Sequence, residues 1–313
     1  MCKVSVVIPT RNRATLVQRA VNSVLTQTMQ DFEIIVVDDC SSGDIISVVN
    51  SFSDHRIRLI RHNECKGGSA SRNTGIASSQ GEFVAFLDDD DEWCRDKLEI
   101  QLDFMDRHRE LSMVYTGYFL ITQNTGRIKE VNSPRKRQDL AKCLLRENVI
   151  GTTSTVMIRR ACLTSGNIKF DETLRSCQDW DVYLKIISDY QIDCISEPLA
   201  RHYEHNERIT ERYADVIQGH RALMEKIHQK YIVPKKVTAH HHYKIAKLFL
   251  QFGDHEKGRH ELLRSREKYP WYPSAYVYLA ASYLKTSDYR HLSVCWQVLK
   301  SIRSRFFSLR KTN

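Results

Sequence analysis

Phe83, Val84, Ala85, Phe86 and Leu87 run straight into four consecutive carboxylates, Asp88, Asp89, Asp90 and Asp91. An uninterrupted apolar run of this length predicts a strand buried on both faces, which needs a sheet covered by helices. Four neighbouring carboxylates repel one another, and a divalent cation among them relieves that repulsion. Oxygen-only donors suit Mg2+ or Mn2+. The carboxyl end of a parallel strand is also where open α/β sheets bind ligands. The competing reading is a solvated acidic turn.

The surrounding pattern agrees with a covered sheet. Strand-like runs at 4–8, 34–37, 57–60 and 83–87 alternate with amphipathic helical stretches at 16–25, 45–52 and 69–77. In the first helical stretch Val17, Ala20, Val21, Val24 and Leu25 share one face. This order predicts an α/β fold with a mostly parallel sheet flanked by helices. Residues 98–105 and 178–187 read as helix, with Val182, Tyr183 and Ile186 facing inward, and 113–122 and 153–158 read as strand. From about 213 onward the patterns are helical only, which divides the chain into 1–212 and an all-α region, 213–313. Within the latter a period near 34 residues relates Ile245, Ala246, Phe249, Gly258, Leu262, Ser265 and Pro270 to Tyr276, Leu279, Ala280, Tyr283, Leu292, Trp296 and Leu299. The spacing partly resembles tetratricopeptide repeats.

Charge follows the same division. Residues 1–200 carry 25 Lys/Arg against 28 Asp/Glu, whereas residues 201–313 carry 22 against 10 and ten of the thirteen histidines. The basic region fits an anionic surface, and Lys300, Arg303, Arg305, Phe306, Phe307, Arg310 and Lys311 mix cations with aromatics in an interfacial manner. It contains no recognised reading motif for nucleic acid. The nine cysteines are scattered, without a CxxC spacing, and read as reduced thiols of a cytoplasmic protein. The opening residues are too short an apolar stretch for a leader or a membrane span. His240, His241 and His242 lie in a helical pattern without ligand spacing and read as incidental.

Several further segments carry a resemblance. Residues 4–13 make up the first strand and a loop with Pro9, Thr10, Asn12 and Arg13; Asp38, Asp39 and Ser41 close the second strand. Gly67, Gly68, Arg72, Asn73 and Gly75 precede Gly81 and the acidic strand. In this order they resemble the inverting family 2 glycosyltransferases with a GT-A fold, over roughly residues 3–210. The resemblance implies a nucleotide-sugar site made by Pro9, Thr10, Asn12, Arg13, Asp38, Asp39, Gly68, Arg72, Asp88 and Asp89, with UDP as the nucleotide. Asp39 can accept from a uracil imide, and Arg72 can reach base or phosphate; the local alternatives are an Asx turn with Ser41 as a helix cap, and a surface ion pair. Asp90 would bind Mn2+ or Mg2+, completed by His205. Gln178, Asp179, Trp180 and Asp181 are similar to the family's ED motif with Gln for Glu, which makes Asp179 the base for the acceptor hydroxyl. Trp180, Asp181 and Ser154 are candidate acceptor contacts, with core packing as the alternative for Trp180.

No QxxRW motif and no membrane-spanning run is present in the sequence, so the resemblance implies one sugar added per encounter. It implies a UDP-hexose or UDP-N-acetylhexosamine donor, a β-linked product, and a glycan acceptor. That acceptor would be a lipid-linked oligosaccharide or a lipopolysaccharide, capsule or O-antigen intermediate at the inner face of the cytoplasmic membrane. A nucleotidyltransferase would want a Gly-rich basic loop after the first strand, where Pro9, Thr10, Arg11 and Asn12 stand instead. A non-catalytic nucleotide-sugar-binding scaffold acting through its helical tail is the other alternative.

Overall fold

The computed structural model describes residues 2–204 and 213–283. The chain forms two compact units, residues 1–211 and 212–313. Within the first unit β1 (Val4–Thr10), β2 (Phe32–Asp38), β3 (Ile57–Arg61) and β4 (Phe83–Phe86) alternate with α1 (Ala14–Leu25), α2 (Ile45–Asn50) and α3 (Gly68–Ser78). Then follow β5 (Glu92–Trp93), α4 (Lys97–Arg107), β6 (Leu111–Thr122), β7 (Arg127–Asn132), α5 (Leu140–Arg146), β8 (Val156–Arg159), α6 (Arg160–Thr164), α7 (Gln178–Asp189) and β9 (Gln191–Glu204). The strand order is β3-β2-β1-β4-β8-β6-β9-β5, with β7 on β6. The part from β3 to β4 is parallel, and β8 pairs antiparallel to both β4 and β6, so beyond β4 the sheet is mixed.

The apolar patterns account for the layers. All seven residues of β2 and all four of β4 are buried. Val17, Ala20, Val21 and Val24 of α1 bury the face the periodicity marks, and they join Val6, Ile8, Ile34, Val36, Ala85 and Leu87 in one core. Helix α3 lies close to β1: a Cβ at Gly75 would overlap the Val7 side chain. Ser69, Ala70, Ser71 and Ile76 make up the rest of its buried face.

Three local expectations give way to the structure. Residues 153–155 form a single 3-10 turn, held where Thr152 Oγ1 accepts from Ser154 N at 3.3 Å, and only 156–159 are strand. Ser41 does not cap α2; Asp44 does, accepting from Ser47 N at 2.9 Å. Cys40 and Cys65 are joined as a disulfide with Cα atoms 5.1 Å apart, so the cysteines are not all free thiols.

In the second unit α8 (Tyr213–Lys230), α9 (Lys235–Gln251), α10 (His255–Lys268) and α11 (Pro273–Tyr283) follow one another through short turns. Tyr243, Ala246, Leu250, Leu262, Ala275, Tyr278 and Ala281 make its core. The first repeat-like set is buried except at Pro270, but Tyr276 and Tyr283 of the second are exposed. Its inward positions are shifted by one residue to Ala275 and Tyr278, which breaks the tetratricopeptide register. Leu292, Trp296 and Leu299, and the basic stretch 300–311, lie outside the described residues. His240 and His242 are helix-packing contacts, on the Tyr272 hydroxyl and on Glu261, each at 2.7 Å.

Candidate active site

The site gathers at the carboxyl ends of β1, β2 and β4. β1 and β2 run in register to Thr10 beside Asp38, and the Asp39 N–H donates to the Thr10 carbonyl at 2.9 Å. Asp38 accepts from the Ser41 N–H at 3.1 Å and from its hydroxyl, which closes an Asx-type turn. The Ser41 hydroxyl in turn accepts the Asn12 N–H, and the Asn12 side-chain Oδ1 accepts the Ser42 N–H, each at 2.8 Å. The loops after β1 and β2 are thereby one piece.

Asp39 holds the loop that enters α3. It accepts from Lys66 N and Gly67 N, both at 2.8 Å, and lies 3.0 Å from His62 Nδ1. Burial pushes its carboxyl up, but the His62 and backbone hydrogen bonds outweigh this and hold it below the usual carboxylate range. Gly67 takes a positive φ of 91°, a conformation that favours glycine, and so turns the chain into α3. A side chain at Gly68 would crowd the Arg72 guanidinium one turn on.

Arg72 is the hub. Its guanidinium donates to Asp88 Oδ1 and lies over the Phe170 ring at 5.5 Å. Thr153 and Thr152 donate to the same carboxylate at 3.1 and 3.4 Å. Burial opposes ionisation of Asp88, yet the charge and hydrogen bond of Arg72 prevail and depress it. The next carboxylate, Asp89, accepts from Thr10 Oγ1 at 2.9 Å and Arg13 at 2.7 Å. Burial, with the neighbouring Asp90 charge, still pushes it up to about 6. Asp91 is fully buried, accepting from Ser154 Oγ at 2.6 Å and pairing with His202 at 3.0 Å. Burial disfavours the imidazolium, but the Asp91 carboxylate raises His202 to about 9.

The opposite wall is the start of α7. Cys177, in the left-handed region at φ 64°, turns the chain so that Asp179 and Asp181 fall in the first helical turn. The Asp179 carboxyl accepts from Asn148 Nδ2 at 2.9 Å. Burial pushes it up to about 6; the Trp180 N–H and the charge of Arg72 pull the other way, and Asp88 adds to the rise. Arg72 therefore feels both Asp88 and Asp179. Asn73 ties α3 to the loop that leads into α7, donating to the Phe170 carbonyl and accepting the Phe170 N–H at 2.9 Å each.

Other sequence candidates sit elsewhere in the packing. Trp180 is 5% exposed and donates to the Leu144 carbonyl at 2.6 Å, which makes it a core residue. Ser154 is fully buried and joins Asp88 N to Asp91, so it braces the acidic run from within. Asp181 pairs with Lys185 at 2.6 Å along the helix. His205 lies outside the described residues. Asn148 and His62, which hold Asp179 and Asp39, escape sequence reading because an amide in a loop or a lone histidine carries no spacing signal. Asp88 and Asp90 offer the hard oxygen donors that Mg2+ and Mn2+ take. Asp90 is approached by Arg13 at 3.4 Å, and no trio of His, Cys, Asp or Glu close enough to hold a metal occurs among the described residues. Carboxylate oxygens suit a hard cation, whose remaining ligands would then come from substrate oxygens and water.

Residues 5–165 match the model of the family described as Glycosyl transferase family 2. The chain belongs to that family. This transferase is similar to TuaG of Bacillus subtilis (strain 168), a glycosyltransferase named for teichuronic acid biosynthesis. The two are 36% identical over 188 residues, spanning 59% of this chain and 71% of that one. It is similar also to the UDP-Glc:alpha-D-GlcNAc-diphosphoundecaprenol beta-1,3-glucosyltransferase WfgD of Escherichia coli, 34% identical over 193 residues, 62% of this chain and 73% of that one. Among solved structures, S. aureus TarS 1-349 aligns with a TM-score of 0.61 at 21% identity, covering 86% of this chain and 81% of that one. The TarS complex with UDP-GlcNAc aligns at 0.57 with 19% identity, covering 85% and 73%. At such identities the likeness is one of fold.

Proposed function

We propose that this transferase moves a hexose or N-acetylhexosamine from a UDP-sugar to a glycan acceptor in one non-processive, inverting step, with Asp179 as the base. The observation that carries the reading is the Asp88–Arg72–Asp179 arrangement, which sets a buried carboxyl across from the acidic end of β4. Asp179 takes the proton of the acceptor hydroxyl as that oxygen bonds to the anomeric carbon, and the bond to the UDP oxygen breaks on the opposite face. Displacement from behind turns an α-linked donor into a β-linked product. Asn148 donates to Asp179 Oδ2 and helps to fix the orientation of the carboxyl. Arg72 holds Asp88 ionised, and Thr10 and Arg13 fix Asp89 beside it. Asp90, with His205, would hold Mn2+ or Mg2+, which when bound neutralises charge on the departing diphosphate.

The names of the relatives support the substrate class. WfgD is named for a UDP-glucose donor and a diphosphoundecaprenol-linked acceptor, and a TarS structure holds UDP-GlcNAc. A lipid-linked glycan at the cytoplasmic membrane face, reached by a peripherally bound enzyme, follows for this chain as a proposal. No described helix is long and apolar enough to cross a membrane. The test is the product's anomeric configuration by NMR: a β-linkage from an α-linked UDP-sugar supports the reading, and an α-linkage contradicts single displacement.

A further inference from the structure

The second unit carries an exposed apolar tip that the transfer chemistry does not use. Helices α8 and α9 are joined by Tyr231, Ile232, Val233 and Pro234, and α10 and α11 by Tyr269, Pro270, Trp271 and Tyr272. Contacts place both turns at the same end of the helices. Ser265, near the end of α10, donates to the Ala239 carbonyl at 2.7 Å, and the Tyr272 hydroxyl meets His240 Nδ1 at 2.7 Å. The His228 ring, near the end of α8, lies 5.5 Å from that of His241. Ile232 is 98% exposed and Trp271 is 83% exposed, more than any other large hydrophobic among the described residues.

Cations flank these two residues along the chain. Lys230, Lys235, Lys236 and Lys268 are exposed and lie within four residues of one or the other, and half-buried Arg266 precedes Trp271 on α10. Residues 226–236 contain four lysines and no acid, and Glu267 is the one acid between 264 and 273. Pro234, Pro270 and Pro273 stiffen the turns, so the apolar groups are presented on rigid backbone. An uncharged apolar groove of a protein would need no flanking lysines. An anionic bilayer needs both parts: apolar side chains for the headgroup boundary, where tryptophan is favoured, and cations for its surface potential.

We propose that this end of the helical unit docks on an anionic lipid bilayer, with Ile232 and Trp271 entering the interface and Lys230, Lys235, Lys236 and Lys268 against the headgroups. The tip deepens the reading of a lipid-linked acceptor and rests on it for its biological sense. Lipid binding is measured without donor or acceptor, so either idea can fail while the other stands. The experiment is co-sedimentation of the full chain with phosphatidylglycerol/phosphatidylcholine vesicles and with phosphatidylcholine alone. The expected result is binding to the anionic vesicles, reduced at least tenfold both in Ile232→Ser/Trp271→Ser and in Lys235→Glu/Lys236→Glu, with thermal unfolding unchanged. Wild-type-like binding by both double variants overturns the proposal. So does loss of binding only when Arg303, Arg305, Phe306 and Phe307 are changed to serine in the full chain. Failure of the wild-type chain to bind anionic vesicles, or a self-association abolished by Trp271→Ser in place of lipid binding, overturns it too.

Discussion

Asp179 shows how one side chain is tuned by its surroundings. Burial disfavours its charged form more than Arg72 and the Trp180 N–H favour it, so the group holds its proton up to about pH 6. A base must be deprotonated to act, so kcat/KM is expected to rise tenfold per pH unit below about 6 and to level off above it. The Asn148 amide donates to the ionised form, so removing it raises that value. Asn148→Ala should therefore shift the acidic limb upward by about one unit and lower kcat about tenfold or more, as expected for a hydrogen bond to a charged group. Donor KM should change little, and pH–rate profiles of both proteins check this. At this scale the sequence exposes carboxylates in a run or at a helix start. It does not expose the neutral groups that orient them, because Asn148 is placed by a loop whose conformation depends on Gly151 and Asp179 together.

Helix α3 is the element on which the donor side depends. It carries Arg72 and Asn73, and its height above the sheet is set by Gly75 against Val7. Gly75→Ala should improve helix propensity yet force α3 away from β1, with a net loss of about 1–3 kcal/mol from overpacking. Urea unfolding measures the loss. Activity should fall with it, since Arg72 moves with the helix. Elements with strong periodicity, such as α1, β2 and β4, are legible from the chain because one residue pattern decides them. The long strand β9 is not. Its pairing with β6 shifts register around Gly117 and Pro198, so bulges interrupt the alternation that would reveal it. The turn at 153–155 is hidden likewise, because Thr and Ser suit a strand as well as a capped turn.

Charge separates the molecule into a near-neutral unit and a basic one. Ionic strength should therefore act on the two differently. Raising salt from 0.01 to 0.15 M shortens the screening length from about 30 to about 8 Å, which weakens vesicle binding by exposed lysines. UDP binding, among buried pairs such as Arg72 with Asp88, should change far less; calorimetry and sedimentation at both salts measure the contrast. The most direct measurement of the central claim is UDP release from a panel of UDP-sugars with Mn2+, in the wild-type protein and in Asp90→Ala and Asp179→Asn. Metal-dependent release from one donor is expected, lost in Asp90→Ala, with acceptor-stimulated transfer reduced about 10²–10⁴-fold in Asp179→Asn, as for loss of a general base. Full transfer by Asp179→Asn, or release indifferent to Mn2+ and to Asp90→Ala, would contradict that claim.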